Sequence, residues 1–332
     1  MSKMLLLAQF APTDGIMLHP PKTAEEVFYA ETYHLKIIES LKRLNYDFDT
    51  ASDIEYLLKN KSKYQLIWSL YNRLGFRNSE IFVQSLCEYL DIKYIGASPN
   101  VRALVEDKSM SKQLAEHIEI KTAKWVVASI QYPLSRIAPF PGSYFVKPRF
   151  GSASIGIDES CICETWDNAI VKTEAYFEQN IEVIVEKYID GLSYGVPILN
   201  TPNGEPIIST PHYTTSSKAG NVMTYPQKRF AERGMSRCIS NDKTLNTHLE
   251  HIALNFFMQM QPCDYARIDF ILERDSMTPY FLEVNTLMNL GVHGGFVTSF
   301  LQSHFSSYDE LIRHIVEVGL SKLVNSNSAS NP

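Results

Sequence analysis

Ala266-Arg-Ile-Asp-Phe-Ile-Leu272, a polar turn Glu273-Arg-Asp-Ser-Met-Thr278, and Pro279-Tyr-Phe-Leu-Glu-Val-Asn285 read as two short strands joined as a hairpin. Side chains alternate across a strand, so Arg267 and Asp269 share one face, and Glu283 and Asn285 share one face of the partner. The other faces, Ile268, Phe270 and Leu272 with Leu282 and Val284, form a core-facing pattern. Antiparallel pairing with Asp269 opposite Glu283 sets Arg267 opposite Asn285. Two carboxylates and an amide oxygen then make an all-oxygen nest of the kind Mg²⁺ requires. The arginine beside them suits a phosphate or a developing oxyanion. A plain amphipathic hairpin with a solvated charged face is the alternative. Against it stands the glycine-rich Thr286-Leu-Met-Asn-Leu-Gly-Val-His-Gly-Gly295, which such a hairpin has no need of.

The chain of 332 residues has room for two or three domains with substantial cores. It is 45% hydrophobic and 20% charged, the mix of a globular protein. A net charge of −6 without a dense Lys/Arg run argues against nucleic-acid and anionic-membrane partners. Five cysteines without paired CxxC spacing read as reduced thiols, and Cys161-Ile-Cys163 is too tight for zinc. The apolar run after Met1 reads as a first buried strand, no stretch approaches a membrane span, and a cytoplasmic location is the expectation.

Lys3–Phe10, Tyr64–Leu70 and Lys93–Gly96 read as buried strands, with helices over Ala24–Leu44 and Glu80–Leu90 between them. That alternation predicts a parallel α/β unit whose ligands lie beyond the strand ends, in the loops after Phe10 and Leu70. Helical pattern runs from Pro99 through His117. Trp125-Val-Val-Ala128 and a proline-rich passage follow, then strands at Ser143–Pro148, Ile181–Ile189, Tyr194–Leu199 and Pro206–Ser209, with helices at Thr165–Gln179 and Leu245–Gln259. Thr210–Arg233 is polar and without period, a long functional loop. Tyr308–Leu323 is a terminal helix.

Three further signals stand along the chain. Phe145-Val-Lys-Pro-Arg-Phe-Gly-Ser-Ala-Ser-Ile-Gly156 ends a strand with a lysine and a Gly/Ser loop, a phosphate-binding logic that is not a P-loop. Glu186-Lys-Tyr-Ile-Asp-Gly191 can offer backbone groups to the edge of a purine. Lys108 and Lys218 are isolated lysines, each unremarkable by itself.

Taken in order, Asp107-Lys108, Val146-Lys147-Pro148 with its loop, Glu186–Gly191, Arg267-Ile-Asp269 and Glu283-Val-Asn285 resemble the ATP-grasp superfamily, and within it the D-alanine–D-alanine ligases. The resemblance implies an α/β fold, α+β in its C-terminal half: an N-terminal parallel-sheet domain over 1–97, a central ATP-grasp subdomain over 98–185 and a C-terminal subdomain over 186–324. A disordered tail over 325–332 is the expectation. It implies that ATP phosphates are held by Lys108 and Lys147, with Ser152 and Ser154 in the covering loop. Adenine falls to Glu186, Lys187 and Ile189, and the ribose to the position of Ser193. Lys218 reaches the γ-phosphate. Asp269, Glu283 and Asn285 bind two Mg²⁺ ions, for which Mn²⁺ can substitute. Arg267 stabilises the acyl-phosphate and the tetrahedral intermediate. A carboxylate attacks ATP and an amine attacks the resulting acyl-phosphate, under lids at Ser152–Ile155 and Thr210–Arg233 that exclude water.

The departures fall where the family meets its amino acids. No E-R-E-V-S-type motif occurs in Ala11–Pro20, and the H-G-x-x-G-E-D-G loop is replaced by Tyr71-Asn-Arg-Leu-Gly-Phe-Arg-Asn78. The family's loop-closing serine and tyrosine fall at Ala153 and Ala219, its ribose glutamate at Ser193, and its S-L pair at Gly294-Gly295. The expectation is therefore an ATP-dependent carboxylate–amine ligase acting on substrates other than two D-alanines, with D-alanine–D-alanine ligase proper and a non-catalytic nucleotide-binding module as alternatives. Tyr71, Arg73, Arg77, Arg149, His293, Gly294 and Gly295 are its candidate substrate contacts. The partners are a small carboxylate and an amine, and a homodimer is the commonest assembly for such a chain.

Overall fold

The computed structural model describes residues 3–71, 79–151, 154, 156–216 and 235–328. Strands β1 (Met4–Leu7), β2 (Phe48–Ala51), β3 (Leu66–Ser69) and β4 (Lys93–Ile95) form a parallel sheet in the order β2-β1-β3-β4. Every residue of β1 and β3 is buried, as strands covered on both faces must be. Leu5 and Leu7 pack with Leu57, Val83 and Cys87 on one side. Met4, Leu6 and Trp68 pack on the other against Tyr33 and Ile37, and against Phe300, Leu311 and Ile315 from the end of the chain. The last helix, Tyr308–Ser328, thus closes the first sheet. Beyond the carboxyl end of β1, Gln9 faces the cavity described below.

The second sheet holds β5 (Trp125–Ala128), β6 (Tyr144–Pro148), β7 (Ile162–Cys163) and β8 (Val183–Lys187), antiparallel in the order β5-β8-β6-β7. Alternation divides its faces. Tyr144, Val146, Val183 and Val185 pack under the helix Trp166–Phe177, which Thr165 caps, while Phe145, Lys147 and Glu186 line the cavity.

The third sheet holds β9 (Gly191–Leu199), β10 (Ile207–Ile208), β11 (His212–Ser216), β12 (Met235–Ile239), β13 (Tyr265–Glu273) and β14 (Pro279–Asn285). Its order is β12-β11-β9-β13-β14, with β10 also on β9. Val196, Ile198, Ile268 and Phe270 turn inward against Leu249, Phe256 and Phe257 of the helix Lys243–Gln259. The Phe256 and Phe281 rings stack there, 4.6 Å apart.

Several elements differ from expectation for identifiable reasons. Strand β2 is absent from the sequence reading because Phe-Asp-Thr-Ala at a sheet edge is only partly buried. Residues 210–216, read as loop, carry β11; its polar alternation reflects a strand facing a polar cavity. The β8 strand runs past the expected boundary at 185/186, and the last helix continues past Leu323 to Ser328, into the tail expected to be disordered. No helix among the described residues is long and apolar enough to cross a membrane, and all five cysteines are free thiols.

Candidate active site

The hairpin forms in the expected register, Arg267 opposite Asn285 and Asp269 opposite Glu283. A β-bulge follows, pairing Phe270 with Phe281, so Phe281 takes the core position and Leu282, expected in the core, lines the cavity instead. On the polar face Arg267 donates twice to Asp269, Nε to Oδ1 at 2.6 Å and Nη2 to Oδ2 at 2.7 Å. The Asn285 amide lies 2.9 Å from Asp269 Oδ2 and 3.5 Å from Glu283 Oε1. Among the described residues no group of three His, Cys, Asp or Glu side chains is arranged to hold a metal ion, so a cation here would rest on two carboxylates and the amide. Those groups converge, and turning the Asn285 amide would add its oxygen. The donor set fits a hard divalent cation.

The facing wall is cationic. Asp107 caps the helix Lys108–His117, accepting from Ser109 N at 2.9 Å, and so fixes Lys108 in the first turn with Lys112 one turn on. Lys147 comes from β6 and Glu186 from β8. Their nitrogens converge on one carboxylate: Lys147 Nζ is 2.9 Å and Lys112 Nζ 3.3 Å from Glu186 Oε1. Exposures of 0% for Lys112, 2% for Lys147 and 4% for Glu186 rule out solvated surface charges. Burial pushes Lys108 and Lys112 down to about 8. Burial would raise Glu186, yet Lys112 and Lys147 outweigh it and hold the carboxyl below its usual range. Lys112 and Lys147 share this one carboxylate and Lys108 adds its repulsion to Lys147, a positive set that a polyphosphate would balance.

Between the walls lies a cavity of about 1190 Å³. Lys108, Lys147, Ser154, Glu186, Lys187, Ile189, Ser193, Arg267, Asp269, Glu283 and Asn285 all line it. Ser152, Arg73, Arg77 and Lys218 lie outside the described residues, as do Ala153 and Ala219. Arg149 is a correction. Its guanidinium grips Asp107 through Nε and Nη2, the latter at 2.6 Å, and reaches Glu182 at 3.2 Å, so it locks the helix cap and does not face the cavity. Tyr71, His293, Gly294 and Gly295 do not line the cavity either: the Tyr71 phenol is pushed up to about 12 by burial, and the His293 ring stacks on Phe28.

Other residues of the cavity went unread in the sequence. Lys112 looks like any helical lysine until its neighbours bury it. Glu26 sits at the start of the helix Ala24–Tyr29, its Oε2 capping Lys22 N at 2.7 Å, and lines the cavity beside Gln9 and Tyr29. The acidic pair Glu25-Glu26 at a helix start is its signal, a few residues beyond the loop Ala11–Pro20. His212 fills space that glycines leave. A Cβ on Gly295 would stand 2.2 Å from His212 Nε2, and one on Gly195 2.9 Å from it. Its Nδ1 meets Ser299 Oγ at 3.1 Å. Burial, with Arg267 and Arg237 nearby, pushes the ring down to about 3, so it is neutral.

Residues 108–317 match the family model described as D-ala D-ala ligase C-terminus. The D-alanine–D-alanine ligase B of Clostridium perfringens is 30% identical over 277 residues, covering 82% of this chain and 85% of that protein. The chain belongs to the D-alanine–D-alanine ligase family. A D-alanine–D-alanine ligase of Clostridium botulinum is 28% identical, covering 72% of this chain and 76% of its own length. The D-alanine–D-alanine ligase of Bacillus anthracis in its ATP complex shares the fold, with a TM-score of 0.75 at 18% identity over 99% of this chain and 100% of that one. Like the rest of this family, the protein is an ATP-grasp enzyme that forms carbon–nitrogen bonds, and the binding-module alternative falls. The expectation of substrates other than two D-alanines is overturned as well: the relatives that match across most of the chain are named for D-alanine. That expectation took the missing motif of Ala11–Pro20 for a lost acidic contact, whereas the structure brings Glu26 to the cavity.

Proposed function

We propose that the protein joins two molecules of D-alanine at the expense of ATP. The observation that carries this reading is the meeting of two walls in one cavity, Lys108, Lys112 and Lys147 facing Arg267, Asp269, Glu283 and Asn285. The names of the relatives support D-alanine as the substrate. In this reading Glu26, which lines the cavity, holds the ammonium of the first D-alanine while that substrate's carboxylate attacks the γ-phosphorus. The lysines steady the phosphate oxygens as ADP departs. Magnesium, held by Asp269, Glu283 and Asn285, supplies charge neutralisation at those oxygens when bound. The amine of the second D-alanine attacks the acyl carbon, the departing phosphate leaves with the bonding electrons and takes up the proton the amine sheds, and Arg267 donates to the oxyanion.

Phosphate release on adding D-alanine with ATP and Mg²⁺, accompanied by a dipeptide in the mass spectrum, tests the proposal. L-Alanine should give neither. Phosphate release without any dipeptide from D-alanine would sink it.

The lysine wall also sets a pH dependence. Lys108 and Lys112, at about 8 in the free enzyme, bind ATP best when protonated. The KM for ATP is expected to climb by roughly tenfold or more between pH 8 and pH 10. A flat profile over that range would exclude them from phosphate binding.

A further inference from the structure

We infer that Arg237 anchors the carboxylate of the amine substrate, a role that rests on the ligase reading above. Directly opposed residues of antiparallel strands share a face, and Arg237 is paired with Thr214, and Thr214 with Ser193. One row below, His212 is opposite Gly195 and Gly195 opposite Asp269. Arg237 therefore stands on the same sheet face as the Arg267–Asp269 wall, and all of these residues line the cavity.

Its guanidinium has a definite address. Nη1 donates to the His293 carbonyl at 2.6 Å, which sets the group at the turn entering Gly294-Gly295. His293, Gly294 and Gly295 of that turn bring no side chain to the cavity lining. A Cβ at Gly294 would lie 2.4 Å from Asn289 O, and one at Gly295 would strike His212. Arg237 reaches the place from another strand and brings a charge there.

The charges agree. Arg267 is already matched by Asp269, at 2.6 Å. Arg237 is paired with no carboxylate among the described residues; its hydrogen-bond partner is a neutral carbonyl, and it feels the repulsion of Arg267. His212 beside it is neutral and supplies no counter-charge. Among the described residues, an anion is what this end of the cavity lacks. The fork geometry of a guanidinium suits a carboxylate, and the ATP phosphates have their lysines on the opposite wall.

The test uses the full-length enzyme with ATP, Mg²⁺ and an equimolar mixture of D-alanine and D-alanine amide as acceptors, reading the two products by mass spectrometry. The unmodified enzyme should strongly prefer the acceptor that carries a carboxylate. Arg237→Ala should lower that preference, and raise the second-site KM, by roughly ten- to a hundredfold. The KM for ATP should stay within about twofold. Arg237→Lys should recover part of the loss, and it serves in place of Arg237→Ala if the latter folds poorly. A preference unchanged within about twofold, or a loss that appears in the KM for ATP, overturns the inference. An unmodified enzyme that makes no dipeptide from D-alanine overturns the ligase reading itself, and this inference with it, before any variant is compared.

Discussion

Arg267→Ala is expected to lower kcat for dipeptide formation by roughly a hundred- to a thousandfold, with little change in the KM for ATP. Arg267 is held along the sheet face by two hydrogen bonds to Asp269, in a strand whose opposite face is buried core. The guanidinium is therefore oriented before substrate arrives, and no reorganisation is needed when negative charge develops on the acyl oxygen. Such preorganised donors are worth about 3–4 kcal/mol in the transition state. Binding of ATP relies on the opposite wall, so the loss should fall on kcat. Arg267→Lys keeps the charge but loses the fork, and should sit between the two. Steady-state kinetics with dipeptide as the readout decides the matter. A loss smaller than about tenfold in the alanine variant would remove Arg267 from the chemistry.

The site was legible in the sequence where strand alternation alone decides which way a side chain points. Arg267, Asp269, Glu283 and Asn285 fall on one face because each pair is spaced by two in a short strand, and turn formers between the strands fix the register. Lys147 was legible for the same reason, at the end of an apolar run. Alternation fails at a bulge, which is why Leu282 and Phe281 exchange places. It also says nothing about residues whose function depends on a distant neighbour. Lys112 is one lysine of a polar helix until β8 brings Glu186 to it, and Glu26 is a capping residue until the ends of the first sheet bring it to the cavity.

Substrate identity was the least legible feature, again for a physical reason. A pocket is assembled from contributions that can come from different strands, so a residue missing at one position can be replaced from elsewhere without trace in a local motif. Gly294 and Gly295 looked like a lost contact. In the folded chain the space at Gly295 is taken by His212 of β11, and a guanidinium from β12 stands at the adjoining carbonyl. Reading each motif by itself therefore overstated how far the pocket had changed.

Glu186→Gln is expected to be the most destabilising conservative change in the site. Its carboxylate is the nearest anion to both Lys147 and Lys112, all three being almost fully buried. Removing one member of a buried ion pair leaves an uncompensated charge and costs about 3–5 kcal/mol, far more than an intact surface pair contributes. Here two cations lose their partner together, with Lys108 adding to the repulsion. The sign of the pH dependence follows. Lys108 and Lys112 already have folded-state values depressed from 10.5 to about 8, so their charged forms oppose folding below that range. That opposition fades as pH rises from the folded value toward the unfolded one. The deficit of Glu186→Gln should therefore be largest near pH 7 and smaller near pH 9, where the lysines shed protons. ATP should narrow it at either pH by supplying the missing negative charge. Thermal melts at both pH values, with and without ATP, test all three statements. A variant that melts within about 2 °C of the unmodified enzyme at pH 7 would show that the lysines do not depend on Glu186.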